Sequence, residues 1–221
     1  QQAKNYIMNF NDIINLDNNK INIKYSKNKF EITGSSEFYI EKKFKNLLNF
    51  NISKNKNKIK FDTFLNLKNI HLNFANISYN KIKKDDASLR FKGYKINDIT
   101  LFKNINYIEN GNKIEINNLK IKNNKLLGLE KIKLNYSTIN KFKNNLILSK
   151  KNKNYELIGN SFDTIQLIEN ITNAEPNKNF FDIFENLNTK IIININKIKL
   201  DEENFVSNLK GNINIKNSKI F

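Results

Sequence analysis

Lys190-Ile191-Ile192-Ile193-Asn194-Ile195-Asn196-Lys197-Ile198-Lys199-Leu200 is the stretch on which the fold turns. Ile191, Ile193 and Ile195 alternate with polar neighbours at Lys190, Asn194 and Asn196, the period of two that sends successive side chains of a strand to opposite faces. After Ile195 the apolar set moves from odd to even positions, at Ile198 and Leu200. A register change carries every later side chain across the sheet, so the switch predicts a β-bulge or bend.

Working outward, the same alternation recurs in Ile21-Asn22-Ile23-Lys24-Tyr25, Phe30-Glu31-Ile32, Ile59-Lys60-Phe61, Ile70-His71-Leu72-Asn73-Phe74 and Leu89-Arg90-Phe91-Lys92-Gly93. It continues in Ile114-Glu115-Ile116, Leu119-Lys120-Ile121, Ile132-Lys133-Leu134-Asn135-Tyr136 and Asn212-Ile213-Asn214-Ile215. Polar stretches such as Lys83-Lys84-Asp85-Asp86 and Asn110-Gly111-Asn112 separate the runs as turns. Many short, one-sided strands joined by polar turns predict a mainly β chain folded as an antiparallel meander.

Two segments break the rhythm. Phe162, Ile165, Ile168 and Ile171 recur every three residues behind Asn160 or Ser161 as helix-start cap, and Phe180, Ile183, Phe184 and Leu187 form a helical stripe after the only proline, Pro176. These predict two short amphipathic helices in an insertion at about 160–188, within a single elongated β-rich segment covering 1–221. Gly93, Gly159 and Gly211 each follow an apolar run, which turn or bulge geometry explains.

Asn, Lys and Ile dominate the 221 residues, as AT-rich codons would dictate, and the formal charge is +17. The lysines are spread along the whole chain and Arg90 is the only arginine, so the clustered Arg and aromatic residues that read and stack nucleic acid are missing, and a nucleic-acid partner is disfavoured. Attraction to anionic lipid head groups stays open. Without cysteine there is no disulfide or thiolate site, and no run approaches the about 18 apolar residues of a membrane-spanning helix. The first residue is Gln1 and the last run, Lys219-Ile220-Phe221, reads as a strand just beginning; the expectation is an internal piece of a longer protein, with any anchor or export signal outside it.

Reactive constellations are not legible. His71 is the only histidine and occupies a polar position of its alternating run; Asp85, Asp86, Glu202 and Glu203 read as solvated turn charges; the six glycines stand singly, away from any phosphate-cradling motif. No catalytic residue, metal ligand or cofactor is assigned, and the expectation is a protein that is not an enzyme.

What remains is a quantity of Ile, Leu and Phe on one face of many strands. It fits the closed core of a β-sandwich, as in a structural or adhesive domain, and equally an open sheet curved into a groove that holds acyl chains.

The stretch 155–221 carries a resemblance: Tyr155-Glu156-Leu157-Ile158-Gly159-Asn160-Ser161-Phe162-Asp163, the two helical stripes, Ile191 to Leu200, and Val206-Ser207-Asn208-Leu209-Lys210-Gly211-Asn212-Ile213-Asn214-Ile215. It resembles the AsmA-like proteins of the bacterial envelope, with the loose pattern nLxGxlxixxGxi, whose second glycine is replaced here by Ser218. The resemblance implies a long repeating β-groove in the periplasm, tethered to the inner membrane by a segment outside this chain, that passes phospholipid between inner and outer membranes. On that expectation Leu89, Phe91, Ile114, Ile116, Ile191, Ile193, Ile195, Ile213 and Ile215 line the groove, and phospholipid acyl chains are the partner.

Overall fold

Strand after strand forms because the alternating runs bury one face and solvate the other, and Asn-rich turns let the chain reverse between them. The computed structural model describes residues 15–39, 44–74, 77–123, 125–172, 188–216 and 219–220. In chain order the strands are β1 (Asn15–Ser26), β2 (Lys29–Tyr39), β3 (Asn46–Asn55), β4 (Lys58–Asn66), β5 (Leu72–Phe74), β6 (Tyr79–Lys81), β7 (Ala87–Ile96), β8 (Ile99–Glu109) and β9 (Asn112–Lys122). They continue with β10 (Lys125–Gly128), β11 (Lys131–Ser137), β12 (Lys143–Lys151), β13 (Asn154–Asp163), helix α1 (Ile165–Thr172), β14 (Thr189–Lys199), β15 (Phe205–Lys216) and β16 (Lys219–Ile220).

All strands but two belong to one large mixed sheet that does not close on itself. Its order is β1-β2-β3-β4-β7-β8-β9-β11-β12-β13-β14-β15-β16, with β10 pairing against β9. The mainly β prediction holds, with two corrections. The sheet is not a pure antiparallel meander, because β13 and β14 run parallel. Parallel neighbours need a crossover rather than a tight turn, and the segment containing α1 supplies it.

The helix also starts later than residue 160. Residues 160–163 belong to β13, and α1 starts at Ile165, whose backbone N–H donates to Asp163 Oδ1 at 3.1 Å. The cap is thus Asp163, not Asn160 or Ser161: the strand runs on because Phe162 pairs with Ile198 of β14. One short helix is present among the described residues; the second predicted helix lies outside them.

Asparagine has a conformational use here. Among the described residues eleven non-glycine positions have positive φ, and seven are asparagines, among them Asn97, Asn110, Asn123 and Asn152 at reversals between strands. Asn tolerates the left-handed region better than other side chains, and Asn110-Gly111, at φ 41° and 87°, is the pair favoured by a tight hairpin.

The predicted bend after Ile195 is present. Exposure alternates through Ile195, Asn196 and Lys197 are both exposed, and burial resumes at Ile198. The neighbouring strands shift with it: β12 and β13 slip register between Asn145 and Leu146, and Asn208 of β15 takes φ 55°. A second shift, between Lys92 and Gly93, bends β7 against β8.

Glycine is required at both irregularities. A Cβ on Gly93 would overlap the Leu101 carbonyl oxygen and sit 2.9 Å from the Phe61 ring, and one on Gly159 would overlap the Asn145 carbonyl. Gly211, by contrast, lies inside β15 with open space where its Cβ would be, so it neither ends the run nor marks a close approach. Gly93→Val should therefore lower the unfolding free energy by about 3 kcal/mol or more, and Gly211→Ala should raise it by about 0.5 kcal/mol, both read from urea midpoints.

Candidate functional site: the apolar face of the sheet

Directly paired residues of neighbouring strands share a face, so register alone maps the apolar surface. One row of pairs runs from Leu48 through Leu65, Leu89, Tyr107, Ile114 and Leu134 to Leu146, then past Gly159 to Ile195 and Leu209. A second runs beside it, through Phe50, Thr63, Phe91, Ile105, Ile116 and Ile132 to Leu148, Leu157 and Ile193. Each row crosses the sheet from β3 to β14 without a charged residue.

All nine groove residues named from sequence fall on this face. Leu89, Ile114 and Ile195 sit in the first row and Phe91, Ile116 and Ile193 in the second, while Ile191 pairs with Ile213 and Thr189 with Ile215. They do not share one environment. Ile195 and Ile215 are buried and the other seven half-buried; of these Leu89, Ile114, Ile116, Ile191 and Ile193 pack against buried clusters, and Phe91 packs on Phe61 and Phe102.

A roof lies over the first row. The run at Ile70–Phe74, expected as another strand of the main sheet, instead leaves it: β5 pairs only with β6 in a separate hairpin. Leu67, Ile70, Leu72 and Tyr79 from this excursion bury themselves against Phe38, Tyr107 and Tyr136, with Leu48, Leu65, Leu89 and Leu134 packed around them. The Tyr79 ring stacks on Phe74 at 5.9 Å and meets Tyr107 and Tyr136 edge-on at 5.7 and 5.4 Å. Farther along, Leu167 of α1 packs on Leu146, Phe162, Ile195 and Ile198, extending the roof.

Polar groups pin this roof. Lys81, fully buried, donates from Nζ to the carbonyls of Lys68 and Ile70 at 2.9 Å and of Ile82 at 2.8 Å; burial pushes its pKa below the ordinary lysine value. Tyr79 donates its hydroxyl to the buried Glu109 carboxylate and lies 2.6 Å from the Tyr107 hydroxyl, and Tyr136 donates to the Ile77 carbonyl. Sequence reading missed Lys81 and Tyr79 because a lysine and a tyrosine in a polar-looking excursion carry no signal of burial. The rows' members at Ile105, Ile132, Leu134 and Leu148 were within reach, since they follow the same alternation.

The second row is covered in part: Ile116, Ile132 and Leu148 pack against the buried Leu126, Leu129 and Tyr155, and Leu157 and Ile193 against the cluster of Leu146 and Ile195, while its β3–β8 end is left half-buried. Phe61, Phe91 and Phe102 meet one another edge-on there, with ring centroids 5.4 to 6.1 Å apart, and all three stay half-buried. The opposite face mixes polar side chains with isolated apolar ones such as Leu101 and Ile192, and the one arginine is consumed there: Arg90 donates to both oxygens of Asp62 at 3.0 and 2.8 Å, which holds that carboxyl below its usual range.

His71 Nε2, in its protonated tautomer, donates to Asn80 Oδ1 at 2.7 Å beside the hairpin, and Asp85, Asp86, Glu202 and Glu203 lie in loops. Among the described residues no three His, Asp or Glu side chains gather to hold a metal ion, and no helix is long and apolar enough to cross a membrane. No family model matches the sequence, and neither a curated protein nor a solved structure matches the chain.

Burial pushes the pKa of Tyr79, Tyr107, Tyr136 and Tyr155 upward. Each phenol keeps its proton in the fold beyond the value near 10 at which it ionises unfolded, so the associated stability is complete below pH 10 and is lost as pH rises above it. In an alkaline titration these four should ionise only together with loss of the β circular dichroism signal. Four independent ionisations with the fold intact would refute their placement.

Proposed function

We propose that the chain binds phospholipid acyl chains along the unroofed part of its apolar face, as a lipid-conducting segment of an envelope protein. One observation carries this reading: two uncharged rows run across the strands of a single open sheet, yet the second is only half-buried. A chain that leaves so long an apolar strip partly exposed fits an apolar ligand. The physical gain is about 0.8 kcal/mol for each methylene removed from water, while the head group remains solvated.

The finer fold description, a sheet curved into a groove, belongs to the same proposal. Phe38 of β2 and Tyr136 of β11 stand six strands apart, about 29 Å across a flat sheet, yet join one buried cluster around the β5–β6 hairpin. Curvature accounts for that. Movement of phospholipid between inner and outer membranes, and a periplasmic setting with a tether outside this chain, follow from the resemblance to AsmA-like proteins. Nothing in this mechanism calls for a cofactor or a reactive side chain.

Native mass spectrometry of the purified chain should find phospholipid bound. Ile193→Asp, which puts a carboxylate into the second row, should cut the bound fraction several-fold, and Asn194→Asp on the opposite face should leave it unchanged. A lipid-free preparation, or equal loss in both variants, would return the alternative of a structural or adhesive domain with a closed core.

A further inference from the structure

The apolar face changes character toward one rim. Phe30 pairs with both Tyr25 and Lys54, Lys54 with Ile59, and Ile59 with Lys95. Paired residues share a face, so Lys54 and Lys95 stand on the same side of the sheet as Ile52, Phe61 and Phe91, next to the tight turns. Here the row mixes aromatic and aliphatic side chains with lysines, which the two rows deeper in the sheet never do.

The turns at this end sharpen the contrast. The reversals at 26–29, 55–58, 96–99, 122–125 and 151–154 contain eight lysines and one acid, Asp98. At the opposite end, the connections 66–87, 109–112, 137–143 and 199–205 contain seven lysines and six acids. There Lys68 pairs with Asp86 at 2.8 Å, Lys199 with Glu202 at 2.7 Å, and Lys81 is spent on carbonyls. An AT-rich genome would put lysines at both ends alike and gives no reason for the acids to collect at one.

Two clefts open along the basic rim. One, of about 450 Å³, lies between Tyr25, Phe30, Lys27, Lys29, Lys54 and Lys56. The other, of about 500 Å³, lies between Lys54, Lys56, Ile59 and Lys95. Neither is lined by a carboxylate, and each sets cations against an apolar side chain of the groove face.

We propose that this rim binds the phosphate of an anionic phospholipid head group, with Lys54 and Lys95 nearest the acyl chains and Lys27 and Lys56 completing the clefts. The inference rests on the acyl-chain reading above and adds the class of lipid. A chain lying along Ile52, Phe61 and Phe91 would end at the lysine row, where an amphiphile places its charge. Lysine serves as a point cation on a flexible stem, which suits a head group that stays hydrated. Exposed cations of this kind act within a screening length of about 8 Å at physiological salt, so the effect is local to the rim.

The test measures binding of fluorescent phosphatidylglycerol and phosphatidylcholine with identical acyl chains to the whole chain at physiological ionic strength. Phosphatidylglycerol should bind about tenfold more tightly. K54Q with K95Q should erase the preference while holding phosphatidylcholine affinity within about twofold, because the apolar contacts are untouched. K60Q with K92Q removes the same charge from the opposite, exposed face and should leave the preference intact. Equal affinity for the two lipids, an equal loss in both double variants, or displacement of phosphatidylglycerol by duplex DNA at matched phosphate concentration would overturn the rim assignment alone. Failure of both lipids to bind would overturn the acyl-chain reading beneath it.

Discussion

Everything in this molecule depends on unbroken cross-strand register. A strand's apolar set reaches one face only while its pairing holds, and a slip of one residue would move that set to the other side. Where a strand does slip, its neighbours must slip with it or the face breaks. The structure meets this at two places: β7 bends at Gly93, and β12 to β15 shift together around Gly159, Ile195 and Asn208. The two apolar rows survive both irregularities, so the glycines and the left-handed asparagines serve the same end as the isoleucines.

A sheet with one continuous apolar face must cover that face or leave it to a ligand. This chain covers part of its face. The excursion between β4 and β7, with α1, covers the first row and builds most of the buried core there. That roof is held by directional groups, the Lys81 ammonium on three carbonyls and the tyrosine hydroxyls around Glu109, which fix its position rather than adding much to stability. Leu126 and Leu129 cover a further part beside Tyr155, and the half-buried strip that remains between these covers and the lysine rim is where the proposal puts an acyl chain.

Strand character was plain from sequence wherever the alternation was clean, and the face switch at Ile195 was read correctly because burial follows the same period. The sharing of one face by all nine chosen residues was also within reach, since each was taken from the apolar side of its own run. Pairing order was not. Nothing in Ile70 to Phe74 distinguishes a strand of the main sheet from one that folds over it, and the burial of Lys81 is decided by three carbonyls that sequence places 1 to 13 residues away. The extent of α1 was misjudged for a similar reason: Phe162 suits a helical stripe and a strand equally, and pairing with Ile198 decides for the strand. The asymmetry of charge between the two ends of the sheet becomes visible only once the turns are sorted by end.

The central claim is that acyl chains lie on one face of this sheet, and photo-crosslinking tests it most directly. A phospholipid carrying a photoreactive group on its acyl chain, irradiated with the folded protein and mapped by peptide sequencing, should label alternate positions: Phe91, Ile116 and Ile193, and not their neighbours Arg90, Lys92, Glu115 and Asn194. Labels distributed equally over adjacent residues, or confined to the polar face, would contradict it.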